Sequence, residues 1–108
     1  MEIIPFTWDD ANVQIESLGE QLTRGKSASS YGIASFPPGK RHTEEGYSVH
    51  EGTEISFILE GEFDVETADG IVTVAKDNLV MIPAREPHAT VARRPGRVAY
   101  FLINELQE

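Results

Sequence analysis

The 108 residues carry nine Lys and Arg against eighteen Asp and Glu, a net charge of −9, and such a surface repels phosphate backbones and anionic lipid, so neither nucleic acid nor a membrane is an expected partner. The absence of cysteine excludes disulfides, zinc–thiolate sites and thiol catalysis. Hydrophobic residues at 40% suffice for one core, in a chain close to the commonest length for a single domain.

The opening stretch, Met1 to Asp10, is acidic where a secretory leader is basic, and no apolar run near it approaches a membrane span. A cytoplasmic protein is the expectation. Val13 to Leu22 fits either strand or helix, with strand favoured. Gly25 to Ser30 reads as a polar loop. Tyr31 to Phe36 reads as a strand ended by Pro37-Pro38-Gly39, and Lys40 to Gly46 as a charged loop. Thr53 to Glu60 alternates with β-branched and aromatic residues at most apolar positions, as a half-buried strand does. Gly61-Glu62 breaks it. Phe63 to Thr67 and Ile71 to Ala75 then flank Asp69-Gly70, a strong hairpin cue. After a turn at Lys76-Asp77-Asn78, Leu79 to Ile82 is a short strand stopped by Pro83. His88 to Arg93 and Val98 to Ile103 complete the series around the turn Arg94-Pro95-Gly96-Arg97. No stretch shows a capped helical period, and no repeat or linker is visible. Many short strands at even spacing imply an all-β sandwich or barrel, which hides its strand edges.

Three side chains carry the chemistry. His50 and Glu54 are four apart, so on a strand they face the same side. His88 opens a later strand after the rigid turn Pro83-Ala84-Arg85-Glu86-Pro87. Two imidazoles and a carboxylate converging inside a barrel form a two-histidine, one-carboxylate set that leaves coordination positions open for water or a small molecule. The alternative is a metal-free polar plug, in which Glu54 accepts hydrogen bonds from both histidines.

The surroundings of these residues resemble the cupin superfamily. Its first motif is His-x-His, three or four residues, Glu, six residues, Gly; here it reads Ser48-Val49-His50, Glu51-Gly52-Thr53, Glu54, then Gly61 after six residues. Its second is Gly, five residues, Pro-x-Gly, two residues, His, three residues, Asn; here it reads Asp77, Pro83-Ala84-Arg85, His88 and Ala92 at those spacings. The likeness spans about residues 36 to 103 and resembles a small conserved-barrel cupin. It implies a double-stranded β-helix, or jelly-roll barrel, in one domain over 1–108. The barrel core would run from about 28 to 104, with 1–27 packed on the barrel or across a dimer. By resemblance His50, Glu54 and His88 keep three of four ligand positions for a divalent metal such as iron, manganese, nickel or zinc. Ser48 stands at the fourth, whose role water, Ser48 or His42 could take. Arg85 and Asp77 replace family glycines, and Ala92 replaces the asparagine.

Other residues have two readings each. His42 belongs to a solvated loop or supplies a ligand. Arg85 is a surface residue of its turn or a clamp for a substrate carboxylate. Tyr47 is of interest because it precedes Ser48 and His50. Trp8, Tyr31 and Tyr100 suit ordinary core packing. Arg93, Arg94 and Arg97 make a solvated turn or an internal salt-bridge patch. If Glu54 points inward, then Ile55, Phe57 and Leu59 point outward and need cover, from the N-terminal segment or from a second copy in a homodimer. Two functions follow. One is an enzyme in which the metal acts as a Lewis acid or, if iron, engages dioxygen, on a small oxygen-bearing metabolite. The other is a module that binds a small ligand or stores metal without turnover.

Overall fold

A computed structural model describes residues 1–104 as nine strands, with no helix among them. They are β1 (Gln14–Thr23), β2 (Lys26–Phe36), β3 (Arg41–His42), β4 (Thr53–Glu60), β5 (Glu62–Thr67), β6 (Gly70–Ala75), β7 (Leu79–Ile82), β8 (Ala89–Ala92) and β9 (Gly96–Ile103). A five-stranded sheet in the order β1-β2-β9-β4-β7 faces a four-stranded sheet in the order β3-β8-β5-β6. This is the all-β jelly-roll architecture that the strand spacing and the motifs imply. The domain expectation also takes in residues 105–108, which lie outside the described residues.

Two stretches differ from their sequence reading. Lys26 to Ser30, expected as loop, is the first half of β2 and is paired on both sides: Ser29 with Gln21 of β1 and with Ile103 of β9. Serine is a weak strand former, but hydrogen bonding to neighbours at both edges overrides local preference. The reversal occurs earlier, at Arg24 and Gly25 (φ 54° and 74°), the left-handed pair that a two-residue hairpin link requires. Within the charged 40–46 loop, Arg41 and His42 form a short strand against Val91 and Thr90.

The core lies between the sheets. Phe36 and Phe63 meet edge to face, 5.4 Å between centroids, among Ala34, Ile58, Ala92 and Val98. Burying each ring contributes roughly 2–3 kcal/mol of transfer free energy. Gly96 makes this possible, because any side chain there would overlap the Phe63 ring.

Strand alternation splits β4 as expected. Glu54, Ser56 and Ile58 face inward, while Ile55 and Phe57 face out and align with Met81 and Leu79 on β7 and with Phe101 and Ala99 on β9. The N-terminal segment covers a different part of this outer face. Ser35 Oγ donates to the Asp9 carbonyl at 2.8 Å, and Arg97 binds Asp10 at 2.7 Å with its guanidinium 5.0 Å from the Trp8 ring. Phe57 and Met81 remain 42% and 64% exposed. Arg93 pairs with Glu62 and Asp64, at 3.3 and 3.1 Å, so the basic hairpin is an internal salt-bridge patch.

Candidate metal centre

Glu54 enters from the start of β4, beside Leu102 and Ile82 of the flanking strands. His50 precedes it in a bend whose path depends on Gly52. A side chain at that position would overlap the Asn104 amide oxygen and the Ile103 carbonyl. Asn104 is itself held by its backbone N–H to Ala28 at 2.8 Å and its side-chain amide to Ser27 at 3.0 Å. His88 sits just before β8. Three backbone bonds clamp its segment to that of His50: Ser48 N–H to His88 C=O at 2.8 Å, His88 N–H to Ser48 C=O at 3.0 Å, and Arg85 N–H to His50 C=O at 2.7 Å. The segments of His50 and His88, more than thirty residues apart in sequence, are thus one hydrogen-bonded unit.

The three side chains converge. His50 Nε2 lies 3.4 Å and His88 Nε2 3.7 Å from the same Glu54 oxygen, Oε1, and one donor atom from each residue falls within 4.8 Å of the others. Ligands held at about 2.1 Å by one ion are roughly 3.0–3.5 Å apart, so small side-chain adjustments would close this set on a cation. His88 Nδ1 is 2.9 Å from the Glu86 carbonyl oxygen, an acceptor only. That nitrogen therefore carries the proton, and in the neutral ring Nε2 turns its lone pair toward Glu54. An orienting hydrogen bond of this type is what metal-binding imidazoles require.

Burial pushes the Glu54 carboxyl up, but the His50 and His88 imidazoles, the charge of His88 and the Ser56 hydroxyl more than offset it and hold it at about 2. Ser56 Oγ donates to Oε2 at 3.0 Å. The histidine contacts, at 3.4 and 3.7 Å, are long for hydrogen bonds. Glu54 in turn holds His88 above its usual value, against the opposing effect of burial. The donor set, two imidazoles and an ionised carboxylate with no thiolate, suits iron, manganese, nickel or zinc.

The centre opens onto a cavity of about 150 Å³ between the sheets. Its wall is mainly apolar, with Phe36, Ile58, Phe63, Val65, Ile82 and Val98 prominent. Besides the cluster, the polar side chains on it are His42, Ser56, Thr90 and Tyr100. Burial pushes His42 down, and the neighbouring His50 and His88 add to this against the opposing charge of Glu54; the net lowering favours the neutral ring. His42 thus lines the cavity without joining the three-residue group.

The remaining candidates lie elsewhere. Ser48 contributes its backbone pairing with His88 and is not part of the cavity wall. Tyr47 points to the rim, where its hydroxyl donates to Glu66 at 2.8 Å and Arg41 stacks on its ring. The Arg85 side chain is 61% exposed, 4.0 Å from Glu51, and does not line the cavity. Its backbone is the functional part, at a φ of 64°. Sequence reasoning set Ser56 on the face of Glu54 without giving it a part in the site, took Tyr100 as core packing, and passed over Thr90. Ser56 was accessible by parity, two residues after Glu54 on one strand. Thr90 and Tyr100 become neighbours of the cluster only through the pairings His42 with Thr90 and Ser56 with Tyr100.

Comparison with known proteins yields one family match and several related folds. The family model described as "Cupin domain" matches residues 32–104. A cupin superfamily protein from Desulfitobacterium hafniense is similar over 93% of this chain and 84% of its own, at 16% identity and a TM-score of 0.75. A protein of unknown function from Streptococcus pyogenes is similar over 99% and 98%, at 16% identity and a TM-score of 0.74. A cupin 2 conserved barrel domain protein from Leptotrichia buccalis is similar over 92% of this chain and 44% of its own, at 19% identity and a TM-score of 0.75. No curated protein matches the sequence.

Proposed function

This chain belongs to the cupin domain family, and from that premise we propose that its barrel is a divalent-metal site held by His50, Glu54 and His88 that receives a small oxygen-bearing molecule. The observation that carries this is the convergence of three donor atoms at one end of an apolar cavity, with the His88 ring oriented from behind by the Glu86 carbonyl. A metal there would supply Lewis acidity or, if iron, a centre for dioxygen chemistry. The protein's part is to keep Glu54 ionised, present Nε2 of His88, and line the rest of the site with groups that exclude water. Isomerase or dioxygenase chemistry fits such a centre. A non-catalytic binding or sensing role draws support from Ser48, whose side chain does not replace the missing fourth ligand.

The test is elemental analysis of protein purified without chelator, beside His88→Ala. About one metal ion per chain in the parent, lost in a normally folded variant, is the expected result. Full metal content in His88→Ala, or none in the parent after exposure to iron, manganese, nickel and zinc, overturns the assignment.

We also propose that two copies pair through the outer face of the five-stranded sheet. Phe57, Leu79, Met81, Phe101 and Ile103 are exposed there, and a self-complementary apolar patch suits a two-fold interface. Light scattering at micromolar concentration should give twice the chain mass, and a monomer mass sinks this part. A cysteine-free, acidic chain suits a cytoplasmic setting.

A further inference from the structure

The wall of the cavity says which molecules the centre receives. No Lys or Arg is among the residues that line it, within the described chain. The cations near the cluster in sequence are engaged elsewhere: Arg85 faces Glu51, Arg93 pairs with Glu62 and Asp64, Arg94 lies by Glu62, and Arg41 holds Glu66 and stacks on Tyr47. Polar groups on the wall besides the cluster are few: His42, whose lowered pKa favours the neutral ring, Ser56, which already donates to Glu54, Thr90 and Tyr100.

We infer that the site selects a neutral, largely apolar molecule about the size of one six-membered ring, carrying a single pair of adjacent oxygens, and rejects sugar acids and other ligands with a second anionic group. This inference deepens the metal-site reading above and rests on it. An apolar cavity near 150 Å³ is large enough to enclose a benzene-sized body. A divalent ion beside the Glu54 carboxylate leaves one net positive charge, enough for one ionised ligand oxygen. A further carboxylate or phosphate would then lie against valine, isoleucine and phenylalanine side chains with no counter-charge, and buried charges without partners are strongly disfavoured. A sugar acid would in addition bury several hydroxyls for which the wall has too few partners. Orientation would come from the oxygens at the cluster and selectivity from the dry wall.

The experiment compares 4-methylcatechol with 3,4-dihydroxybenzoate, which share ring and chelating oxygens and differ in a methyl against a carboxylate. Both are titrated anaerobically by calorimetry into Zn²⁺-loaded protein, into metal-free protein, and into Zn²⁺-loaded Arg85→Gln. Gel filtration checks that zinc stays with the chain. The expected result is that 4-methylcatechol binds at least about tenfold more tightly than the carboxylate, and that Arg85→Gln leaves this ratio unchanged. Equal or tighter binding of 3,4-dihydroxybenzoate overturns the inference, as does a loss of its binding in Arg85→Gln, which would mean that the guanidinium reaches into the site. Binding of neither ring in either form overturns it too. If zinc fails to bind while metal-free protein still prefers the methyl compound, the metal reading fails and the selectivity of the wall stands.

Discussion

The two faces of the five-stranded sheet are made from the same strands, yet they break the usual rule in opposite directions. Along β4 the inward set is Glu54, Ser56 and Ile58 and the outward set includes Ile55 and Phe57. A barrel strand ordinarily buries apolar side chains and turns polar ones to water. Here the inner face carries an ionised carboxylate and the outer face carries bare aromatic and aliphatic groups. Polar groups placed inside need a ligand or one another, whereas apolar groups placed outside need a cover. The inner anomaly therefore points to a metal and the outer one to a second protein surface, and the two can be broken separately.

The largest effect is expected on the inner face. Glu54→Gln keeps the shape of the side chain and removes the charge that both imidazoles face. Metal affinity should fall by about 100-fold or more, since even residues behind the ligands alter affinity by 10- to 100-fold. Competition against a chromophoric chelator measures it, with dimer mass as the control. A variant that binds metal as tightly as the parent would mean that the inner polar groups are merely a plug.

The outer face supplies the next effect. Phe57 packs edge to face on Phe101, 6.1 Å between centroids, at the middle of the exposed patch. In a two-fold interface each substitution enters twice, so Phe57→Glu on an already acidic chain should weaken pairing about 30-fold or more. Analytical ultracentrifugation reads this. Metal content should be unchanged, and its loss would show that the two faces are coupled.

The faces also differ in their response to pH. The central rows of the outer patch contain no carboxylate or imidazole, whereas the inner cluster titrates. The Glu54 carboxyl is at about 2 in the folded chain against an ordinary 4.5, so its stabilisation, about 3 kcal/mol, is complete above pH 4.5 and lost as pH falls toward 2. The folded value of His88 is raised above 6.5, so its contribution is complete below 6.5 and lost as pH rises through the folded value. Glu54 and His88 therefore favour greatest resistance of the metal-free protein to urea between pH 4.5 and 6.5, and His42→Gln should sharpen that maximum, because the lowered His42 costs stability below 6.5. Glu54→Gln should flatten that profile, and Phe57→Glu should leave its shape intact. A profile that rises steadily to pH 8 in chelator would refute the ionised cluster.

How much of this was legible beforehand follows from the same contrast. Alternation along Thr53 to Glu60 told which side chains share a face, and the spacing of two motifs brought His88 to His50 and Glu54. Both signals lie in short windows or fixed offsets. Lys26 to Ser30 escaped because its strand state comes from β1 and β9, not from its serines. His42 was weighed between a solvated loop and a ligand, and it takes a third place, on the cavity wall, because the charged loop holds a two-residue strand that pairs with Thr90. Arg85 was weighed as a side chain, whereas its backbone N–H to His50 is the part that shapes the site.

The smallest effect lies in the turns that join the two sheets, and it follows from where this chain departs from the family pattern. Asp77 and Arg85 both stand where the family has glycine, and both adopt positive φ, 74° and 64°. A side chain in the left-handed region costs about 1 kcal/mol relative to glycine, less for aspartate than for arginine. Glycine returns part of this as extra freedom in the unfolded chain. Arg85→Gly should raise the urea midpoint by an amount equivalent to about 0.5 kcal/mol, and Asp77→Gly by less. Neither should alter metal content or dimer mass, because the bond each turn makes, Arg85 N–H to His50 and Asp77 N–H to Ile58, belongs to the backbone. If Arg85→Gly instead lowers metal affinity, then the guanidinium, exposed as it is, supports the cluster, and the separation of turn from site is wrong.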